Sequence, residues 1–319
     1  MGLKAYLYGV STSKNGHPNS VKKPLAEKHI RNILESLRSL FNWALKPELR
    51  KLPVEWCNPV TIDFLGPKIR KNPLREDPIP VETRIRLVEN MELAELYRLS
   101  WSIVMPLRSS EVSGIMISEV DMDKSHIRVG ERLDGFDFTK GKTSFSMPFP
   151  VEFRPLLTFC IGSRAEGPLI LQPEYLRNSP DFQPCSQEEF KQKVMILTAN
   201  VSQKKIQCKN DRKSVFREFL YKQCGGINDK QMNILFKTVC ERVGLQNVCI
   251  RDLRSSVSTS MERSGMPHLM LRYLTSHTVS DIMNEYVFLE PQSEMQKYFD
   301  SIRPLLKAIE HRLKAFGLT

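Results

Sequence analysis

The sequence contains no uncharged apolar stretch as long as the about 18 residues that mark a membrane-spanning helix. Its opening, MGLKAYLYGVSTSKNGHPNS, lacks the continuous apolar core of a secretory leader, so the expected location is the cytoplasm. Seven cysteines (Cys57, Cys160, Cys185, Cys208, Cys224, Cys240 and Cys249) show no CxxC spacing. Their odd number argues against a disulfide framework, and they read as reduced thiols. The six histidines form no HExxH, so neither a zinc finger nor a zinc protease is indicated. Internal repeats and low-complexity segments are also missing.

Positive charge, by contrast, is in excess. Lys plus Arg number 47 against 36 Asp plus Glu, a net charge of +11 with a pI near 9.3. That balance favours a polyanionic partner. Residues 1–78 hold 14 basic and 7 acidic side chains, so +7 of the total lies in the first quarter of the chain. A basic N-terminal module on a more balanced body suits a DNA clamp, although a solvated basic face has the same composition. With 319 residues, 41% hydrophobic and 26% charged, the chain reads as a soluble globular protein of two domains.

Periodicity divides the chain further. Ile30, Ile33, Leu34, Leu37, Leu40, Phe41 and Ala44 recur at helical spacing and predict an amphipathic helix over residues 25–46. Prolines at 53, 59, 67, 73, 78 and 80 then interrupt every pattern, which makes 66–80 an interdomain linker and sets the domains at 1–78 and 79–319. Helices are expected from Val81 to about Met91 and through LAELYRLSWSIV, then a break at Pro106 and a short helix capped by Ser109 or Ser110. SHIRVG and TSFSMPFP alternate as strands of a small antiparallel sheet, with DFTKGKT as the turn into the second. From about 163 to 228 the pattern weakens into a loop-rich insertion. Its basic group, Lys204, Lys205, Lys209, Arg212, Lys213 and Arg217, suits either phosphate contact or solvation. KQMNILFKTVCERVG, RDLRSSVSTSMERSG, PHLMLRYLTSH, SDIMNEYVF and the tail complete a helical C-terminal half. The fold class expected is mainly α with a small antiparallel β-sheet.

One stretch fits none of this simply. LTSHTVSDIMNEYVF places His277 nine residues before Tyr286, a step that puts the two side chains on opposite faces of any single helix. Three other pieces stand before it: PLRSSEVSGI, with Arg108 at a helix start; TKGKTSFSMP, with Lys140 in a hairpin; and IRDLRSS, with Arg251 and Arg254 on one helical face. In this order the ensemble resembles the tyrosine recombinase, or phage integrase, family of site-specific recombinases. That family's site comprises an Arg, a Lys, a His/Lys-x-x-Arg pair, a His or Trp and a nucleophilic Tyr. Glu111 stands three residues after Arg108 as in the family's R-x-S-E, and Lys140 stands eight residues before Pro148 as the family's hairpin lysine does. The step from His277 to Tyr286 equals the family's usual one. RSLFNWALK and CNPV resemble the end of its core-binding domain. The chain departs from the pattern at Arg251, where His or Lys is usual, and at Ser276, where the family has glycine.

The resemblance implies a tyrosine recombinase-like catalytic domain over 79–319 and a short helical DNA-binding module before it. The implied enzyme cleaves and rejoins DNA through a 3′-phosphotyrosine, with no metal, ATP or other cofactor. Arg108 and Arg254 would hold the phosphate oxygens, because guanidinium stays charged and matches phosphate geometry, and Arg251, a poorer proton shuttle than the usual His or Lys, could still bind phosphate. Lys140 would protonate the leaving 5′ oxygen, His277 would fold toward the same phosphate, and Tyr286 would be the nucleophile once a cationic pocket stabilises its phenolate. Tyr273 is the rival, in an apolar run that suits a core role better. The implied partners are double-stranded DNA with a specific recombination site and other protomers in a synaptic complex, a tetramer on DNA beside the nucleoid. The apolar face of the tail, Ile302, Leu305, Leu306, Ile309, Leu313 and Phe316, would dock either on a neighbouring protomer or on its own domain. A catalytically weak DNA-binding relative and a type IB topoisomerase remain as alternatives.

Overall fold

The structure, a computed structural model, describes residues 2–13, 21–49, 51–66, 77–129, 145–172, 187–203, 209–275 and 291–318. The chain divides into two compact units, Met1–Arg75 and Glu76–Thr319.

In the first unit α1 (Leu3–Gly9) is followed by a two-stranded ribbon, β1 (Ser11–Thr12) with β2 (Lys23–Pro24), then α2 (Glu27–Ala44) and a single turn, α3 (Ile62–Leu65). The periodicity of α2 is borne out in part: Ile30 and Leu34 are buried against Leu7, Val60 and Leu65, with Leu37 and Phe41 packed beside them, while Ile33 and Leu40 of the expected face are exposed. So small a core is supplemented by polar staples. Asn58, in the CNPV sequence, donates through Nδ2 to the Arg38 carbonyl at 3.0 Å and accepts the Val60 N–H at 2.9 Å. Arg31 donates to the Gly66 carbonyl at 2.8 Å, which ties the end of α3 to α2.

The second unit is built around one helix. After α4 (Val81–Glu89), ten consecutive residues of α5 (Leu93–Val104), Glu95 to Val104, are buried. Such a helix sits inside a core rather than on it. Pro106 cannot continue it, and the chain passes into α6 (Ser109–Val112). The N-cap of α6 is Arg108 rather than the expected Ser109 or Ser110, because Glu111 folds back onto the Arg108 N–H at 2.8 Å and supplies the cap itself. A three-stranded antiparallel sheet follows in the order β3 (Val120–Asp121), β4 (His126–Val129), β5 (Phe145–Pro148). Ile127, Val129, Phe145 and Met147 face the core, while Arg128 and Ser146 face outward, the alternation expected of a half-buried sheet. Then come α7 (Arg154–Ile161) and the extended residues up to Gln172.

Two expectations are corrected here. The insertion at 163–228 is more ordered than its weak pattern suggests: it contains α8 (Gln187–Gln203) and α9 (Lys209–Gln223). Phe190, Phe216, Phe219, Leu220 and Cys224 close a second core with Met116. A core assembled from both helices asks only a few apolar residues of each. The second correction concerns the tail. After α10 (Asp229–Arg242), α11 (Ile250–Arg263) and α12 (His268–Leu274), the helices α13 (Pro291–Ser301) and α14 (Arg303–Ala315) bury Leu305, Leu306, Ile309 and Leu313 in the main core of this unit, with α14 lying along α4. The apolar face of the tail is therefore covered by its own domain and is not available to a neighbouring protomer. Gly244 and Gly265, at φ +72° and +85°, end α10 and α11 as expected, and Leu253, Val257 and Met261 are buried on one face of α11. The expected helix SDIMNEYVF lies outside the described residues.

Candidate active site

Arg108 is placed by three residues. Met105 is extended, as a residue before proline prefers to be, and Leu107 is buried, so the link from α5 to α6 is anchored at its centre. Arg254 comes from the far side of the unit, in the second turn of α11, whose Leu253 and Val257 face the core. The two guanidinium groups meet on one carboxylate. Arg108 Nη1 donates to Glu111 Oε1 at 2.5 Å, and Arg254 Nη1 donates to Glu111 Oε2 at 3.0 Å. The Glu111 side chain is wholly buried, while those of Arg108 and Arg254 are 27% and 12% exposed. Among the described residues two guanidinium groups thus share this one carboxylate, and both retain some exposure to solvent.

Burial pushes the Arg254 guanidinium down to a pKa of about 10, and the neighbouring Arg108 charge pushes in the same direction while Glu111 opposes both. At neutral pH it still carries its charge, now poorly solvated. An entering anion would relieve that condition, which is what a preorganised anion site requires. The other end of Arg254 is fixed by Nη2 donating to the carbonyl of Thr275. Thr275 is buried, ends α12, and ties its own hydroxyl to the Leu271 carbonyl at 2.7 Å. His277 is therefore only two residues beyond a carbonyl that Arg254 holds.

The remaining expected site residues divide clearly. Arg251 sits one turn before Arg254 on α11 and is exposed, with no contact to Glu111 among the described residues. Lys140, His277 and Tyr286 lie outside the described residues. Lys140 falls in the connection between β4 and β5, which pair with Val129 opposite Phe145. The rival Tyr273 is half-buried, its ring edge-on to Phe145 at 5.8 Å between centroids, and packs against the main core. Of the basic group in the insertion, Arg217 turns toward Asp229. The pair, with Ser113, Asn228 and Lys230, lines a cavity of about 180 Å³. Burial raises the Asp229 carboxyl above its ordinary range, and Arg217 and the Ser113 hydroxyl at 3.4 Å draw it back. Among the described residues no three His, Cys, Asp or Glu side chains cluster as metal ligands would.

Sequence reasoning quoted Glu111 as part of a motif without giving it a task, and it gave none to Thr275. A signal existed for the first: an acid three residues after a helix-start residue has the spacing of a capping box. Thr275 acts through its carbonyl, which no side-chain pattern reveals.

No family model matches the sequence, and no curated protein matches it either. Among solved structures, the integrase from mycobacterium phage Brujita is similar at 13% identity and a TM-score of 0.43, over 90% of this chain and 79% of that one. The Tn1549 transposon integrase, solved in complex with a circular intermediate DNA, is similar at 16% identity and a TM-score of 0.43, over 89% of this chain and 79% of that one.

Proposed function

We propose that the chain is a site-specific DNA recombinase, an integrase of the tyrosine type, acting on double-stranded DNA in a tetrameric synaptic complex. One observation supports this reading above the others: Arg108 and Arg254, from the first and third of the four motif pieces, share the buried carboxylate of Glu111 and form a preorganised cationic site. The chemistry needs such a site. When Tyr286 attacks phosphorus, the bond to its phenolic oxygen forms as the bond to the 5′ oxygen breaks, and charge builds on the two non-bridging oxygens. Guanidinium donors fixed in advance stabilise that charge without reorganising at the moment of reaction. Lys140 protonates the departing 5′ oxygen, and His277 completes the phosphate cradle. The 3′-phosphotyrosine conserves the energy of the phosphodiester, so the free 5′ hydroxyl of the same or another strand reverses the step without ATP. The basic first unit supplies further cationic contacts to the duplex.

The test is a nicked duplex taken from the DNA flanking the coding region, on which cleavage releases the short fragment that carries the free 5′ hydroxyl and the covalent complex accumulates. Wild-type protein should become covalently attached, and Tyr286→Phe should bind the duplex but form no adduct. Adduct formation by Tyr286→Phe would overturn the assignment of the nucleophile. A specific observation favours one rival reading: Arg251 is exposed and cannot shuttle a proton as histidine or lysine does. A wild-type chain that binds this duplex and never attaches to it would establish that rival, a DNA-binding relative of weak catalytic power.

A further inference from the structure

Behind the arginine cluster, and touching none of its members, the second unit buries another cation. Arg84 of α4 is fully buried, and among the described residues no acidic group pairs with it. Its Nη1 donates to the carbonyl of Ile103 at 2.9 Å, its Nη2 to the hydroxyl of Ser260 at 2.5 Å, and its Nε has no partner. An unpaired buried charge is costly, and an apolar side chain of similar size fills such a position more cheaply. The contacts of Arg84 suggest what offsets the cost. Ile103 is in the last turn of α5, five residues before Arg108, and Ser260 is on α11, six residues after Arg254. The fork of one guanidinium thus joins α5, which leads through Pro106 to Arg108, to α11, the helix that Glu111 ties to α6 at the site.

We propose that Arg84 is a positioning residue that fixes the separation and rotation of the Arg108 and Arg254 elements and so sets the geometry of the phosphate clamp. A single cross-link between two elements leaves them free to pivot, and a second, about two helical turns away on α11, removes that freedom. The planar fork suits this task because its two N–H directions are fixed relative to one another, which a lysine ammonium cannot reproduce. The C-terminal carbonyls of α5 carry the partial negative charge of a helix end, so the cation is also electrostatically suited to that end. The same cluster reaches the other side of the nucleophile segment. Tyr298 of α13 is fully buried beside Arg84 and donates to the carbonyl of Val104 at 2.8 Å. Thr275 is thus held by Arg254, and α13 is held on the end of α5.

This inference rests on the recombinase reading, and the experiment separates the two. Ser260→Ala removes the α11 end of the fork and little volume, Ser260→Thr keeps the hydroxyl, and Arg84→Met removes the fork altogether. Single-turnover cleavage of the nicked duplex, duplex affinity and melting temperature are measured for each in the full chain. We expect Ser260→Ala to cleave about tenfold more slowly with affinity within about threefold of wild type, Ser260→Thr to recover most of the rate, and Arg84→Met to be slower than Ser260→Ala. If wild type cleaves and Ser260→Ala and Arg84→Met cleave equally well, the positioning role is wrong and the recombinase reading stands. Loss of folding, or parallel loss of affinity, rate and melting temperature in both variants, would make Arg84 a structural residue and overturn the proposal. A wild-type chain that never forms the adduct would overturn the recombinase reading and this inference with it.

Discussion

Two sets of arginines in the second unit are held in different ways. Arg108 and Arg254 divide the two oxygens of one carboxylate. Arg98 and Arg164 donate to main-chain carbonyls: Arg98 Nε to Leu171 at 2.9 Å, and Arg164 to Pro168 at 2.7 Å and Leu169 at 3.2 Å. The second set pins the extended residues that lead into the insertion, helped by Tyr97, whose hydroxyl donates to the Leu169 carbonyl at 2.8 Å and accepts the Leu171 N–H at 2.7 Å. Those guanidiniums satisfy acceptors that would otherwise be buried unpaired, and their work is finished when the chain has folded. In the first set two guanidiniums share one carboxylate among the described residues, and burial, opposed by Glu111 and assisted by the Arg108 charge, brings Arg254 down to a pKa of about 10. Such a cluster does not optimise the fold and suits an anion that arrives later.

That contrast separates activity from stability. Arg108→Ala or Arg254→Ala should slow cleavage by about 10² to 10³, the ~2.7 to 4 kcal/mol typical of losing one preorganised oxyanion donor, with a much smaller effect on duplex affinity. Cleavage near the wild-type rate in either variant would place the phosphate elsewhere. Arg98→Met should do the opposite. It leaves the Leu171 carbonyl without its donor and should destabilise the fold by about 2 kcal/mol in urea unfolding, while the folded fraction cleaves within about threefold of wild type. An Arg98→Met protein of normal stability that no longer cleaves would erase the distinction between the two sets.

Much of this architecture was legible in the sequence, and the failures have physical causes. The boundaries of α5 and the strands β4 and β5 follow from strong local patterns: an apolar run stopped by Pro106 in the first case, alternation in the second. The helices of the insertion were missed because their core is shared. Phe190 belongs to one helix and Phe216, Phe219 and Leu220 to the next, so neither displays a full apolar face alone. The tail was ambiguous for a related reason, since an apolar stripe records that a face is covered and not which molecule covers it. At the candidate site, motif order points to Arg108 and Arg254, whereas the contact of Glu111 with both emerges only when α6 and α11 are seen side by side.

The smallest effect belongs to the intermediate case, Arg217 with Asp229. Desolvation lifts the Asp229 carboxyl above its ordinary value of 3.8, with Arg217 and Ser113 opposing and Glu111 assisting. A carboxyl that is harder to ionise in the folded chain than in the unfolded one costs stability at neutral pH. The cost disappears as the pH falls through the raised folded value toward the ordinary one. Asp229→Asn should therefore raise the neutral-pH stability by under about 1 kcal/mol and remove this contribution to the acid side of the stability curve. Melting curves at pH 7 and pH 4.5 that show the same difference between variant and wild type would mean that Asp229 is not the group responsible.

The most direct measurement is mass spectrometry of the covalent complex trapped on the nicked duplex. Cleavage after glutamate separates Tyr273, in the peptide from Arg263 to Glu285, from Tyr286, at the head of the peptide that ends at Glu290. The nucleotide mass should be found on Tyr286, with the amount of adduct strongly reduced in Arg254→Ala. A nucleotide on Tyr273, or an undiminished adduct in Arg254→Ala, would contradict the proposed site.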